Sequence, residues 1–357
     1  MKDFNHVTVL LNETVQLVTE TVCKFGFHKK HQIWVDCTLG GAGHTIALLD
    51  VFSSELTKEK NSDVTIEHVC CDQDSMALET AQERINAWKK NYDFLGDRLV
   101  VTLLPINFRN LPEWLRTQRQ GSRLSGLIAD FGVSSPQIDI AERGFSFLRA
   151  GPLDMRMNAL NGPTAKELLE TLDAERLQRI FIEYGEEPRA RALARAIVED
   201  RNTGQLPLSN TVEFAQYVSR VLGYHQSRVH PATRIFQALR IAVNDELSAV
   251  EELLEHMPQM MEHRSCAGII SFHSLEDRLV KRYFRAWEKG ERSPEAQRLS
   301  EKQRWAEAEV GWAGALTKTQ TTFGQEYPRG GLIADEEELK RNPRARSARL
   351  RGFCFEQ

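Results

Sequence analysis

The segment Ile33-Trp34-Val35-Asp36-Cys37-Thr38-Leu39-Gly40-Gly41-Ala42-Gly43-His44 constrains the fold more than any other. It reads as a buried strand, a carboxylate at the strand's C-terminal end, and a glycine turn that opens a helix near His44. In an open parallel α/β sheet, this is the edge at which nucleotide-like cofactors bind. Glycine has no Cβ to exclude a ligand and reaches positive φ at little cost, and a new helix leaves its first N–H groups unpaired. A second strand, Thr65 to Cys71, ends in Asp72-Gln73-Asp74 and supplies an acid for a ribose hydroxyl. The dinucleotide fingerprint fails, because Gly41-Ala42-Gly43 is followed by His44, Thr45 and Ile46 and the third glycine is missing. A ligand without a pyrophosphate is therefore preferred. S-adenosylmethionine suits the pattern, with adenosine for the second acid, a zwitterionic tail for the turn and a sulfonium that tolerates carboxylates. A dinucleotide and a purely structural turn stay open as alternatives.

Composition sets the class. The 357 residues suggest two domains with ample apolar material for a core. No apolar run approaches the ~20 residues that span a bilayer, and Met1 to Leu17 lacks a signal-peptide pattern, which leads to the expectation of a cytoplasmic enzyme. The six cysteines, Cys23, Cys37, Cys70, Cys71, Cys266 and Cys354, contain no C-x-x-C, so reduced thiols and no zinc site are expected. A net charge of −4 argues against a generally basic nucleic-acid coat protein, so any RNA contact must come from local patches.

Strand–helix alternation holds at both ends of the chain and breaks in the middle. Strands are expected at Ile33–Val35, Thr65–Cys71, Leu99–Leu104, Gly126–Ala129 and Cys266–Phe272. From Thr164 to Leu222 the pattern is helical, opening on a capping box of Thr164 and Glu167. A long helix is expected from Pro231 through Ile235, Leu239, Ala242, Leu247, Val250 and Leu254. The domain expectation is residues 1–142 and 230–357 for the α/β part, with an inserted helical substrate domain over 143–229. Glu288 to Val310 reads as a solvated excursion.

Leu127-Ile128-Ala129-Asp130-Phe131-Gly132-Val133-Ser134-Ser135-Pro136-Gln137 is the second chemical element, a strand ending in an acid that passes into a Gly/Ser/Pro loop. Asp130-Phe131-Gly132 spells a kinase motif, but no catalytic loop precedes it and no V-A-I-K strand exists. An acid here suits methyl transfer to an exocyclic amine, because a carboxylate accepting an N–H bond favours the charge that develops on nitrogen. The plain alternative is that Asp130 caps the loop and touches only cofactor. Arg143 to Met157 interleaves arginine with aromatics and suits a splayed base, or else is an ordered loop with buried Phe and Met. Arg278, Lys281, Arg282 and Arg285 share a helix face of the kind that is usually solvated. Lys340, Arg341, Arg344, Arg346, Arg349 and Arg351 form a run with no acid, the strongest phosphate-binding candidate by charge. His6, His44, His230 and His273 lack metal spacing and are expected to be hydrogen-bonding residues.

Taken together, His6 to Leu11, Asp36 to His44, Leu127 to Gln137, Arg143 to Met157, Tyr184 to Glu187, His230 to Arg240, Ile270 to Arg278 and Asn342 to Ser347 resemble the bacterial MraW (RsmH) type of small-subunit ribosomal RNA cytidine N4-methyltransferase. The resemblance runs in unchanged order over nearly the whole chain. It implies a Rossmann-like α/β methyltransferase sheet with an inserted all-helical domain. It also implies S-adenosylmethionine as donor and a cytidine in the decoding region of 16S ribosomal RNA as acceptor. The implied partner is that RNA or the small ribosomal subunit, with a homodimer allowed and no membrane. The implied cofactor-binding residues are Ala42, Gly43, His44, Asp72, Phe108, Asp130 and Gln137, with Asp130 also the catalytic candidate and no metal. Ala42 stands where some members have glycine, a change expected to be tolerated if φ is negative. Phe52 to Asp63 looks longer than usual, and Thr317 to Arg329 matches poorly. The rival readings are a methyltransferase for another nucleic acid or a protein amide, and a non-catalytic S-adenosylmethionine-binding ribosome assembly factor.

Overall fold

The computed structural model describes residues 8–223, 230–298 and 322–356, and it divides into two compact units. The first unit comprises Met1–Gly132 and Ala249–Gln357; the second is Val133–Ser248. His6 and part of the Glu288–Val310 and Thr317–Arg329 segments lie outside the described residues.

The first unit begins with α1 (Leu11–Phe25), β1 (His31–Asp36), α2 (Gly43–Leu56), β2 (Thr65–Cys71), α3 (Ser75–Lys89), β3 (Leu99–Leu104), α4 (Leu111–Gln118) and β4 (Leu124–Asp130). After the second unit, α11 (Glu246–Met260) leads into β5 (Met261–Ser271) and α12 (Ser274–Trp287). β6 (Gly324–Glu326), β7 (Leu332–Ile333), α13 (Glu336–Arg341) and β8 (Arg349–Phe355) complete the unit. The strands lie in the order β3-β2-β1-β4-β5-β8-β6, with β7 also on β8. The first five are parallel and β8 is antiparallel to β5. This is the Rossmann-like α/β arrangement expected from the sequence.

Strand periodicity explains why the sheet is covered on both faces. Ile33, Val35, Leu127 and Ala129 pack with α4, α11 and α12 residues such as Leu111, Leu254 and Phe284. Trp34 and Ile128 turn the other way, onto Val18 of α1 and Leu49 and Phe52 of α2. Trp34 pairs with Gly126, and a Cβ at 126 would lie 2.2 Å from the indole ring. The indole therefore lies across β4 only because residue 126 has no side chain. Chain order runs outward from β1 to β3 and then returns to β4 on the other side of β1, which opens a crevice at the C-terminal ends of β1 and β4.

The second unit holds α5 (Ser135–Asp139), α6 (Ala165–Thr171), α7 (Ala174–Glu183), α8 (Ala190–Asn202), α9 (Thr211–Leu222) and α10 (Pro231–Asn244) around its own core, with Leu169, Phe181, Leu193, Phe214 and Leu239 among the buried residues. The capping box at α6 forms as expected: Thr164 N donates to Glu167 Oε2 at 2.7 Å and Glu167 N donates to Thr164 Oγ1 at 3.1 Å. The single long helix expected from Pro231 to Leu254 is instead two. Asp245 adopts φ 50°, and its N–H closes α10 on the Ile241 carbonyl. Asp and Asn tolerate this left-handed region better than other side-chain-bearing residues, and Asn244-Asp245 is the break. Two arginines of the Arg143–Met157 loop are spent internally. Arg143 donates to the Arg156 and Met157 carbonyls, Arg156 pairs with Asp154 at 2.8 Å, and Met155 is fully buried.

No helix among the described residues is long and apolar enough to cross a membrane. The expectation of six reduced thiols needs correction. Cys266 and Cys354 face one another across β5 and β8 and form a disulfide. The antiparallel register brings them together from 88 positions apart, which spacing along the chain cannot reveal.

The basic run ending at Arg351 also divides. Arg344 and Arg346 are exposed on a turn, whereas Arg351, on β8, is only 4% exposed. Its guanidinium donates to Asp277 Oδ1 at 2.7 Å and to Glu326, so it joins β8, α12 and β6 rather than meeting a phosphate. Replacing Arg351 by Met removes the nearest cation from two acids, leaving Asp277 with Arg349 at 3.9 Å, and should cost about 2–4 kcal/mol in urea unfolding. Arg344→Gln and Arg346→Gln should each stay within about 0.5 kcal/mol of the parent. Equal losses at all three positions would contradict this division.

Candidate active site

Three carboxylates gather at the C-terminal edge of the sheet. Asp36 ends β1, Asp130 ends β4 and Asp72 follows β2. Their spacing is set by the backbone. Cys37 N donates to the Ile128 carbonyl at 2.8 Å, and Asp130 N donates to Thr38 Oγ1 at 2.7 Å, so β1 and β4 stay in register as they leave the sheet. Asp36 is buried, accepting from Thr38 N at 3.1 Å and from Thr45 Oγ1 at 2.8 Å. The Thr45 hydroxyl also meets His68 Nε2 at 3.1 Å, and burial drops the His68 ring to about 4, so it is neutral there.

Asp72 organises the glycine turn. Its Oδ2 accepts from Gly40 N at 2.8 Å and its Oδ1 from Asp74 N at 2.9 Å. Each carboxylate oxygen carries two acceptor sites, so the group keeps capacity for a ribose diol. The turn continues through Ala42, whose N–H donates to the Leu39 carbonyl at 2.7 Å. Ala42 sits at φ 60°, so the condition of negative φ is not met. An L-residue there carries a strain of roughly 1–2 kcal/mol. Its methyl is fully buried beside Leu39, Cys70, Ala81 and Ile85, which offsets part of it.

Gly43 and His44 face the N-terminal segment. A Cβ on Gly43 would lie 1.8 Å from Thr8 Oγ1, and His44 Nε2 donates to the Val9 carbonyl at 3.1 Å. Leu10 N in turn donates to Glu338 Oε1 at 2.7 Å. The apolar Thr8–Leu10 stretch thus backs the first turn of α2, a role its sequence did not reveal.

Phe108 follows β3 on a short 3-10 turn whose entry is fixed by Asn107, which donates to Gln73 Oε1 at 3.1 Å. Its ring packs against Phe131 at 5.5 Å between centroids, which places an aromatic face beside the exits of β3 and β4. Gln137 belongs to the second unit, where its Oε1 accepts from Ser134 N at 2.9 Å and closes the first turn of α5. The sequence reading placed Gln137 in a ligand-binding loop and did not identify this reciprocal cap. Sequence reasoning named Asp36 as a strand-end acid without assigning it to the site, and it gave Glu276 no role. Glu276 is buried and accepts from Phe272 N at 2.8 Å.

Desolvation dominates the electrostatics. It raises Asp36 and Asp72 to about 6 against their backbone and hydroxyl hydrogen bonds. Asp130 is pushed up to about 7 by desolvation, opposed by the Gly132 N–H bond and reinforced by the charges of Asp36 and Glu276. A cluster of acids held this far above the usual carboxylate value is suited to a cationic or hydrogen-bond-donating ligand. The donor set therefore fits S-adenosylmethionine: Asp72 can take hydroxyls, Phe108 can cover an apolar ring, and the acids at β1 and β4 can face positive charge.

The model of the MraW methylase family matches residues 3–356. The chain belongs to that family. The ribosomal RNA small subunit methyltransferase H of Chlorobium chlorochromatii (strain CaD3) is 37% identical over 356 residues, covering 98% of this chain and 96% of its own length. Membership in the methylase family agrees with a Rossmann-like sheet bearing acids at its switch point.

Two outcomes follow. The folded chain holds more protons than the unfolded chain on Asp36, Asp72 and Asp130 between about pH 4 and 7. Their contribution to stability is therefore full below that window and lost as pH rises through it. Asp130→Asn should accordingly raise the urea midpoint over the parent near pH 8, with the gap closing near pH 4.5; a pH-independent gap would refute the assignment. Gly43→Ala should cost about 1–3 kcal/mol by overpacking, and Thr8→Gly in the same chain should recover most of it in a double-mutant cycle. Additive losses would mean that Thr8 is not what Gly43 accommodates.

Proposed function

We propose that the chain transfers a methyl group from S-adenosylmethionine to N4 of a cytidine in the 16S ribosomal RNA of the small subunit. The observation that carries this reading is Asp130, a desolvated acid at the end of β4 with Asp36 and Glu276 as charged neighbours. The relative named for small-subunit ribosomal RNA supports the acceptor class.

S-adenosylmethionine supplies an electrophilic methyl group when bound. Asp72 accepts the ribose hydroxyls, Phe108 packs on the adenine, and Ala42 to His44 hold the methionine end at the start of α2. Asp130 acts at the reacting end. The lone pair of a cytidine N4 is delocalised into its ring and is a poor nucleophile. Asp130 accepts a hydrogen bond from the amino group and so favours the positive charge that grows on nitrogen as the N–C bond forms. A carboxylate whose proton affinity lies near neutrality is also suited to receive the departing N4 proton.

The deciding assay gives labelled S-adenosylmethionine and small subunits lacking the mark to the enzyme and analyses the nucleosides. N4-methylcytidine is expected. Label in another nucleoside or in protein would favour the rival methyltransferase readings, and binding without any transfer would favour an assembly factor. Asp72→Ala should weaken S-adenosylmethionine binding by about 1–3 kcal/mol in calorimetry. Asp130→Asn should lower the single-turnover rate by about tenfold or more, at least 1.4 kcal/mol of barrier. A smaller loss would make Asp130 a positioning residue.

A further inference from the structure

The 3-10 turn Pro343–Ser347 enters β8 at the same sheet edge as the acids, and all of these pieces belong to the first unit. β8 runs antiparallel to β5, so its first residue, Arg349, pairs with Ser271 at the C-terminal end of β5. Asp130 pairs with Ile270, one residue earlier on the same strand. Arg349 is therefore two strand spacings from the end of β4, ~10 Å between backbones. The turn is anchored. Asn342 Oδ1 accepts from Arg344 N at 3.2 Å, and Ala345 and Ala348 are buried with Val9, Leu10 and Leu350. Val9 is the residue whose carbonyl receives His44 at the start of α2, so the arginine turn packs on the stretch that backs the glycine turn.

Charge at this edge is sorted. α13 carries Glu336 and Glu337 in its first turn and Lys340 and Arg341 in its last, so the end that joins the turn is basic. Arg344 and Arg346 are exposed, and no acid among the described residues pairs with Arg346. Arg349 donates to the Gly330 carbonyl at 2.9 Å and lies 3.9 Å from Asp277, an acid that Arg351 already holds at 2.7 Å. Arg282 and Arg285 of α12 are exposed too, but they stand roughly two and three helical turns beyond Ser274 and so away from the edge.

We propose that Arg344 and Arg346, with Arg349 beside them, hold backbone phosphates of the acceptor RNA next to the nucleotide being methylated. The inference rests on the reading given under Proposed function. A strand that brings a base amino group to Asp130 also brings the phosphates on either side of that nucleotide to the same edge. Asp36, Asp72 and Asp130 would repel those phosphates, and a chain of net charge −4 offers no general attraction, so a local cationic feature has to hold them. The planar guanidinium matches two phosphate oxygens at once. Such contacts fix the register of the strand without reading its sequence, which leaves the choice of base to the acid cluster.

The test compares two double variants that remove the same charge, Arg344→Gln with Arg346→Gln at the edge and Arg282→Gln with Arg285→Gln on α12, using small subunits lacking the mark. The edge pair should raise KM for subunits about tenfold with kcat within about twofold, and should flatten log KM against log salt by about 0.7–0.9 per lost contact. S-adenosylmethionine affinity and thermal unfolding should not change. Arg344→Lys with Arg346→Lys should keep most of the affinity, because a phosphate also accepts a point charge. The α12 pair should behave as the parent. A KM within about twofold of the parent for the edge pair, or an equal defect in the α12 pair, would overturn the assignment. A benzophenone on Ser347→Cys, with the exposed thiol removed by Cys23→Ala, should label 16S RNA when illuminated on subunits. Label on a ribosomal protein, or on neither, would also overturn it. Failure of the parent to methylate subunits would instead overturn the reading under Proposed function, while the photolabel and the salt dependence of subunit binding still report on the arginine turn.

Discussion

Cys37 N–H reaches the Ile128 carbonyl and Asp130 N–H reaches Thr38 Oγ1, and these two bonds hold β1 and β4 together at the point where their chains part. The Trp34 indole lying over Gly126 fixes the same pair from within the sheet. Because β1 leads outward to β2 and β3 while β4 leads away toward β5, the two chains diverge at this edge. Asp36 and Asp130 are brought near one another by strand pairing, not by any attraction between them. The site is in that sense imposed by the sheet.

This arrangement carries an electrostatic cost. Asp36 is satisfied by Thr38 and Thr45, and Asp72 by Gly40 and Asp74, but each remains short of water, and both sit well above the ordinary carboxylate range. Concentrating unfavourable charge where a ligand can relieve it is how binding energy and fold stability are commonly traded. Elsewhere in the first unit, acids find strong partners. Glu67 is held by Arg119 at 2.7 Å and its carboxyl is lowered accordingly. The contrast between Glu67 and Asp130 separates an acid that stabilises the sheet from one suited to chemistry.

The strand, acid and glycine turn of Ile33 to His44 were legible because local features suffice: an apolar run, a carboxylate, and residues permissive at positive φ. The five parallel strands and the α6 capping box were legible for the same reason. What escaped the reading depends on partners remote in sequence or on a local choice between two allowed conformations. Arg351 looked like part of a phosphate-binding run because Asp277 and Glu326 are far away along the chain. β8 was hidden under that same run, although Leu350, Phe353 and Phe355 are buried apolar residues on it. The break at Asp245 preserves apolar spacing on either side, so periodicity reads straight through it. Gln137 was read as a cofactor contact, and the structure shows its side chain closing the first turn of α5.

The second unit lies between β4 and β5, two strands that are adjacent in the sheet and paired in register from Gly126–Cys266 to Asp130–Ile270. A chain closing on itself over so long a connection loses little more freedom than over a short one, since each doubling of loop length costs only about 0.6 kcal/mol. The β4–β5 connection can therefore lengthen, shorten or exchange its helices while the strand ends bearing Asp36, Asp72 and Asp130 keep their register. In evolutionary terms the molecule is modular: a sheet under tight geometric constraint carries, between two of its paired strands, a helical cassette whose length and composition are free to drift.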